Sequence, residues 1–104
     1  MGFRVYKSDS AEKDMLEILD SLIENLSSPG AAKPFYNSLL VCYQRLRQNP
    51  FIYPLCRDKE LYLRGFRCAP VMRYIVFYTI DEKANGVKVY RIIHGTMDYS
   101  QTDF

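Results

Sequence analysis

The sequence predicts a single α+β domain in which a helical hairpin covers a small β-sheet. Two observations carry this prediction. Two stretches with helical spacing of apolar residues follow a short N-terminal strand, and strand-forming runs separated by turn signals fill the second half. Helices and strands segregated along the chain are typical of α+β folds. At 104 residues, the whole chain (1–104) is expected to form one domain with a single core.

The first half predicts one strand and two helices. FRVYKS, residues 3–8, alternates like a strand, and Asp9 begins a helix with a pattern resembling a capping box. SSPG at residues 27–30 ends this helix. A second helix starts near Pro34 and stops before Pro50. The faces to be buried comprise Ala11, Met15, Ile18, Leu19, Leu22, Ile23 and Leu26, then Phe35, Leu39, Cys42, Tyr43 and Leu46.

The second half predicts a three-stranded antiparallel meander. Its first strand is expected at residues 60–65, and its central strand at residues 71–80, which are apolar on both faces. Asn85 and Gly86 supply a turn that tolerates positive φ, and residues 87–94 return as the third strand. These strands carry more apolar surface than one hairpin hides, which predicts a patch for a partner's helix or strand. The predicted patch comprises Phe66, Val71, Ile75 and Phe77.

Composition excludes several classes of function. The net charge of +2 is too small to indicate nucleic-acid binding by itself, although basic residues concentrate between Arg45 and Arg73. No apolar run approaches a membrane span or a signal peptide, so we expect a cytoplasmic protein without membrane contact. Cys42, Cys56 and Cys68 are too few and too widely spaced for a disulfide framework or a zinc site. They are predicted to be buried reduced thiols, and no metal or cofactor is expected.

Residues 64–98 carry a more specific pattern. An RG-x-R motif leads through Pro-Val to a tyrosine-rich strand, a turn and R-x-x-HG-x-x-D. This arrangement resembles the RelE/ParE superfamily of toxins from bacterial type II toxin–antitoxin modules, nearer to its ParE branch. The resemblance implies the toxin of a plasmid-stabilisation module, with a cognate antitoxin that wraps across its sheet and helices and forms a hetero-oligomer with it.

The ParE-like interpretation implies a toxin that inhibits DNA gyrase by protein–protein contact and is not an enzyme. The target-binding residues would form a polar rim on or beside the sheet. Met97 stands where many members of the superfamily have an arginine, which leaves open a module that binds antitoxin without being toxic. The residues assigned to target binding are Arg64, Arg67, Arg73, Arg91, His94 and Asp98.

A RelE-like interpretation implies a metal-independent endonuclease that cuts messenger RNA on the ribosome. Such cleavage needs a base, cations around the phosphate and an acid, which His94, Arg91 and Tyr99 would supply. Ile75 stands where these nucleases place an arginine, which argues against this activity. Strand alternation also predicts that Arg91 and His94 point to opposite faces. Tyr99 is expected on a mobile tail.

The same residues also have purely structural interpretations. The lone histidine would be a hydrogen-bonded residue at a strand end. Arg73 and Arg91 would pair with Asp81, Glu82 or Asp98 and hold the sheet in register. Alternatively, Asp98 would cap a short turn near the C-terminus.

Overall fold

The structure, a computed structural model, describes residues 2–25, 30–100 and 102–104. The α+β class predicted from the sequence is confirmed. Within these ranges, no helix is long and apolar enough to cross a membrane. The elements are β1 (Arg4–Lys7), α1 (Asp9–Glu24), α2 (Ala32–Gln48), a 3₁₀ turn (Pro50–Ile52), α3 (Lys59–Leu63), β2 (Arg67–Val71), β3 (Tyr74–Asp81) and β4 (Gly86–His94).

These four strands form one sheet in the order β1-β4-β3-β2. The antiparallel pairing of β2 with β3 and of β3 with β4 forms a three-stranded meander as predicted, but its first strand is β2 rather than residues 60–65. β1 lies parallel to β4, with Arg4 opposite Gly86. Asn85 has a φ of 47° in the β3–β4 turn, whereas Gly86 already belongs to β4. β3 and β4 are therefore the central strands of the sheet.

The helical hairpin packs against one face of the sheet, as predicted. Ala11 of α1 and Phe35 and Leu39 of α2 are buried in one cluster with Val76 and Tyr78 of β3. This cluster is the main hydrophobic core, and it fixes both helices to the two central strands.

α1 begins with a different cap from the one predicted. Ser8, rather than Asp9, is the N-cap residue, because its Oγ accepts the Ala11 N–H at 3.0 Å. The same hydroxyl donates to the carbonyl of Tyr90 at 2.8 Å. One side chain thus caps the helix and ties its start to β4.

The end of α1 is only partly described. Ile23, predicted to be buried, is 69% exposed. Leu26 and residues 27–29, which include most of the predicted helix stop, lie outside the described residues.

The segment predicted as the first meander strand, residues 60–65, instead forms α3 and its C-terminal cap. Asp58 caps α3 by accepting the Leu61 N–H at 3.0 Å. Gly65 has a φ of 80°, and the Phe66 N–H donates to the Leu61 carbonyl at 2.9 Å. This is the Schellman arrangement that ends a helix. The aspartate cap and the glycine outweigh the strand propensity of the residues between them.

The long central strand predicted at residues 71–80 is interrupted near its start. Met72 has a φ of 55° and, with Arg73, forms the turn between β2 and β3. The Gly95 N–H donates to the Arg73 carbonyl at 2.8 Å, and a Cβ at Gly95 would lie only 3.2 Å from that oxygen. The close approach favours glycine where the chain leaves β4.

The sheet face away from the hairpin is covered by α3 and by the last described residues. The Phe104 ring packs against Phe66 and Phe77, with ring centroids 5.3 and 5.1 Å apart, and Tyr99 packs against Phe77 at 5.1 Å. The prediction of an exposed apolar patch is therefore wrong. Of its four residues, Phe66, Val71 and Phe77 are buried and Ile75 is half-buried.

Two of the three cysteines are bonded to each other. Cys56 and Cys68 form a disulfide that joins the segment before α3 to β2, so the prediction of reduced thiols is wrong for this pair. The chain reverses around Gly65, which brings the two Cα atoms to 5.4 Å, a distance that disulfides favour. Cys42 is a free, buried thiol, as predicted.

Candidate functional site

A β-bulge near the end of β4 sets the direction of its last side chains. Phe77 lies opposite Arg91 while Tyr78 lies opposite Val89, so Tyr90 is an extra residue in β4. A bulge interrupts the regular alternation of side chains between the two faces of a sheet. The side chains at the bulge, Tyr90 and Arg91, therefore need not follow the directions predicted from the strand pattern alone.

Arg91, which lies at the bulge, forms an ion pair with Asp14 of α1. Its Nε donates to Oδ2 at 2.7 Å and its Nη2 donates to Oδ1 at 2.9 Å. The Ile92 N–H also donates to Oδ2, at 3.0 Å, and Asp14 is only 9% exposed. The hydrogen bond with Asp14 raises the pKa of Arg91. The charge of Arg91 thus holds α1 on β4, and its predicted pairing with an acid of the sheet or tail is wrong.

His94 ends β4, and neighbouring groups hold its ring. Its Nδ1 lies 3.2 Å from the Thr96 N–H nitrogen and 2.7 Å from the Thr96 Oγ1, and its ring packs edge-on against Tyr74. Because a backbone N–H can only donate, Nδ1 is the acceptor and the neutral ring carries its proton on Nε2. The ring therefore presents an N–H donor through Nε2, and its one basic nitrogen is occupied.

Arg91 and His94 line one cleft of about 360 Å³ between α1 and the end of β4. The prediction that they point to opposite faces is wrong, because Arg91 lies next to the extra residue of the bulge and turns to Asp14 of α1, beside the cleft that His94 also lines. Glu17 adds a carboxylate to the cleft, and Ile18 and Met97 add apolar surface. This mixture is typical of a surface that contacts another protein. The other lining residues are Asp14, Ser21, Tyr74, Ile92 and Ile93.

Tyr99 lies on the opposite side of the sheet from His94. Its ring packs on Phe77, and with Arg64 and Phe104 it lines a separate pocket of about 90 Å³ next to α3. Tyr99 is half-buried there, where the sequence predicted a free tail. The acid and base of the nuclease interpretation are therefore not brought together in this structure.

The remaining predicted arginines do not share one surface. Arg73 is exposed in the β2–β3 turn beside His94, so these two residues lie at the same end of the sheet. Arg67 is farther along β2, where its Nη1 donates to the Tyr53 carbonyl at 2.6 Å. Arg64 follows α3 on the face away from the hairpin. Of the residues predicted to form a polar rim, Arg73, Arg91 and His94 lie together at one end of the sheet.

Asp98 has the local role that the structural interpretation predicted. Its Oδ1 accepts the Ser100 N–H at 3.0 Å, and this hydrogen bond lowers the pKa of the carboxyl. The carboxylate is exposed, and it stabilises the turn that directs the chain from the cleft side of the sheet towards Tyr99.

Asp14 is the residue of this site that sequence reasoning missed. It follows Ala11 by three residues and precedes Ile18 by four, and both neighbours were assigned to the apolar face of α1. Helical spacing therefore places its carboxylate on the buried side, where a charge needs a cation and hydrogen-bond donors. A charged residue within an apolar stripe was the signal for a buried partner such as Arg91.

Metal and thiol chemistry have few candidates among the described residues. In these ranges no group of three histidine, cysteine, aspartate or glutamate side chains is arranged to hold a metal ion. Burial raises the pKa of Cys42 to about 11, so its thiol stays protonated and unreactive at neutral pH.

Comparison with known proteins finds one matching family model and several solved structures with a similar fold. A family model described as the ParE toxin of the type II toxin–antitoxin system parDE matches residues 5–99. No curated protein sequence matches the chain at a significant level.

Three solved structures share the fold at low sequence identity. One is the RelBE2 toxin–antitoxin complex of Mycobacterium tuberculosis, at 17% identity and a TM-score of 0.65, covering 90% of this chain and 99% of that chain. Another is the chromosomal ParDE system of P. aeruginosa, at 14% identity and a TM-score of 0.68, covering 88% and 95%. The third is the archaeal RelE–RelB complex of Pyrococcus horikoshii, at 18% identity and a TM-score of 0.58, covering 94% and 100%.

Proposed function

Because this chain belongs to the ParE toxin family of type II toxin–antitoxin systems, we propose that it inhibits DNA gyrase by protein–protein contact and is neutralised by a cognate antitoxin. The target contact would be made at the end of the sheet where Arg73, Arg91 and His94 lie.

The separation of His94 from Tyr99 is the observation that favours this function over RNA cleavage. The two side chains line separate pockets on opposite faces of the sheet, an arrangement that does not favour joint action on one phosphate. His94 holds its basic nitrogen against Thr96, and the charge of Arg91 is paired with Asp14. A metal-independent nuclease needs a free base and an unpaired cation at the scissile phosphate. A toxin that acts by binding needs neither.

The composition of the cleft supports a protein partner. Met97 is largely exposed, and Ile18 adds apolar surface beside the carboxylate of Glu17 and the imidazole N–H donor of His94. Protein interfaces combine apolar contacts, methionine included, with a small number of oriented polar groups. Met97 would therefore serve as an apolar contact residue in place of the arginine that many members of the superfamily carry.

An antitoxin partner is proposed from the similar structures. The structures from M. tuberculosis and P. horikoshii are toxin–antitoxin complexes, and the P. aeruginosa structure is of a ParDE system. Their fold likeness covers at least 88% of this chain. A toxin of this family would be held inactive in a hetero-oligomer until its antitoxin is removed.

The test is pulse-labelling of DNA and protein synthesis in bacteria that express the chain without an antitoxin. We expect DNA synthesis to fall first while translation continues, and the purified chain to inhibit supercoiling by gyrase. An immediate collapse of translation, with messenger RNA cut only on ribosomes, would contradict the proposal and favour the nuclease.

Two variants locate the contact and one serves as a control. Arg73→Ala and His94→Ala should each relieve the loss of DNA synthesis and leave antitoxin binding intact. Arg47→Ala removes an exposed arginine on α2, away from the cleft, and should remain as toxic as the unaltered chain. If all three variants are equally toxic, the end of the sheet is not the contact surface.

A further inference from the structure

A pocket of about 360 Å³ opens on the sheet face away from the hairpin, beside the β3–β4 turn. Two tyrosines, Tyr6 and Tyr90, line it together with Lys88, Thr79 and Asp81. None of its lining residues belongs to the cleft between α1 and β4. The proposed contact with gyrase therefore leaves this pocket without a role.

The sheet register brings these side chains together from three strands. Tyr6 of β1 lies opposite Lys88 of β4, and Lys88 lies opposite Thr79 of β3. Asp81 and Gly86 form the next pair on the same face. The Tyr6 ring lies across the open space above Gly86, 3.5 Å from where a Cβ would be. A side chain at that position would occupy the floor of the pocket.

Contacts within the pocket position its lysine and one of its two tyrosines. Lys88 Nζ lies 4.5 Å from the centre of the Tyr90 ring, and Phe66 supports that ring from the side at 4.8 Å. Neither ion pair found in the described part of the chain includes Lys88. Tyr6 is 54% exposed, so much of its side chain is accessible to a ligand. The pocket thus offers a lysine outside these ion pairs together with an accessible aromatic side chain.

We propose that this pocket binds one nucleotide, as a free mononucleotide or as an unpaired unit of a single strand. The base stacks on Tyr6, where an open ring accepts any base. The phosphate contacts the ammonium of Lys88, which the ring of Tyr90 positions. The Oδ1 of Asp81 already accepts the Ala84 N–H. Its other carboxylate oxygen and the hydroxyl of Thr79 hydrogen-bond the edge of the base. The volume lies at the small end of ligand pockets, about 300–1,000 Å³, which suits one nucleotide.

Direct binding measurements test this proposal. The probes are adenosine 5′-monophosphate and labelled eight-nucleotide single strands of RNA and DNA, followed by amide chemical shifts and by fluorescence anisotropy. We expect the shifts to change at residues of the pocket. Tyr6→Ala should weaken binding by roughly 5- to 150-fold, the range for losing one base–aromatic stack. Lys88→Gln should also weaken nucleotide binding, and the loss should be larger at low salt than at high salt.

Matched variants separate the pocket from general effects on the surface. Tyr6→Phe keeps the stacking ring and should bind like the unaltered chain, which also guards against a folding defect in Tyr6→Ala. Tyr62→Ala removes a tyrosine of α3 that is 53% exposed and should leave binding unchanged. Lys13→Ala is the corresponding control for charge.

The outcomes distinguish the sources of the nucleotide and the proposals themselves. Binding of the single strands alone assigns the pocket to nucleic acid, and comparable binding of the mononucleotide assigns it to a free nucleotide. The proposal is overturned if no probe binds at millimolar concentration, or if Tyr6→Ala and Tyr62→Ala bind equally well. These experiments measure nucleotide binding directly. Neither binding nor its absence therefore tests the gyrase proposal, which is tested by pulse-labelling and by the supercoiling assay.

Discussion

Removing the carboxylate of Asp14 should cost more stability than any surface charge of this protein. The carboxylate accepts two hydrogen bonds from Arg91 and one from the Ile92 N–H, and Asp14 is 9% exposed. In Asp14→Ala the guanidinium loses its carboxylate partner and keeps the Asp103 carbonyl at 3.4 Å, and the Ile92 N–H loses its acceptor. Breaking a buried pair on one side costs about 3–5 kcal/mol. We take about 3 kcal/mol, because the Arg91 side chain is 26% exposed and regains some contact with water.

The assay is equilibrium unfolding in urea of Asp14→Ala, Arg91→Ala and the double variant. Each single variant should lose about 3 kcal/mol of unfolding free energy, and the double variant should lose less than their sum by about 1–3 kcal/mol. Lys13→Ala is the control, since Lys13 and Glu17 are 3.9 Å apart with side chains 78% and 65% exposed. Its effect should stay within about 0.5 kcal/mol. Additive losses, or single losses as small as that of the control, would refute the structural role of the pair.

Two further predictions concern the cysteines. Reducing the Cys56–Cys68 disulfide, which spans 12 residues, should lower the free energy of unfolding by about 3 kcal/mol. The variant with serine at both positions should show no further response to reductant, and an unchanged urea midpoint in the unaltered chain would contradict the expectation. Burial raises the pKa of Cys42 from an ordinary value of 9.0 to about 11, so the folded thiol keeps a proton that the unfolded thiol releases. Its contribution is therefore complete below pH 9 and declines between pH 9 and 11, by about 1.4 kcal/mol per pH unit. Cys42→Ala should flatten the fall in stability measured across that range, and an unchanged slope would count against this assignment.

Local sequence patterns determined the helical hairpin and the antiparallel pairing of the last strands. Helical spacing identified Phe35 and Leu39 as core residues, and the turn at Asn85 specified the β3–β4 hairpin. Both signals lie within a few residues of the structure that they specify. The motif from Arg64 to Asp98 likewise indicated the family that a model match over residues 5–99 establishes.

Competing local signals explain where the sequence prediction failed. The segment from Asp58 to Gly65 contains strand-forming residues, but it also has a helix cap at each end. The segment forms a helix because the caps outweigh the strand propensity. The chain reverses direction after this helix, which brings Cys56 and Cys68 together. Because the sequence prediction placed a strand here, it also missed the disulfide.

The arrangement of the candidate site was decided by tertiary structure alone. Arg91 meets Asp14 across 77 residues of sequence, and its place beside the bulge at Tyr90 lets it line the same cleft as His94. A spacing pattern along one segment carries no information about the pairing register of another, and an extra residue in a strand disrupts the alternation of the side chains next to it. The sequence by itself therefore determined the helical hairpin, the antiparallel strands and the family to which the chain belongs. Only their packing decided that Arg91 and His94 share a cleft and that Tyr99 lies on the other face of the sheet.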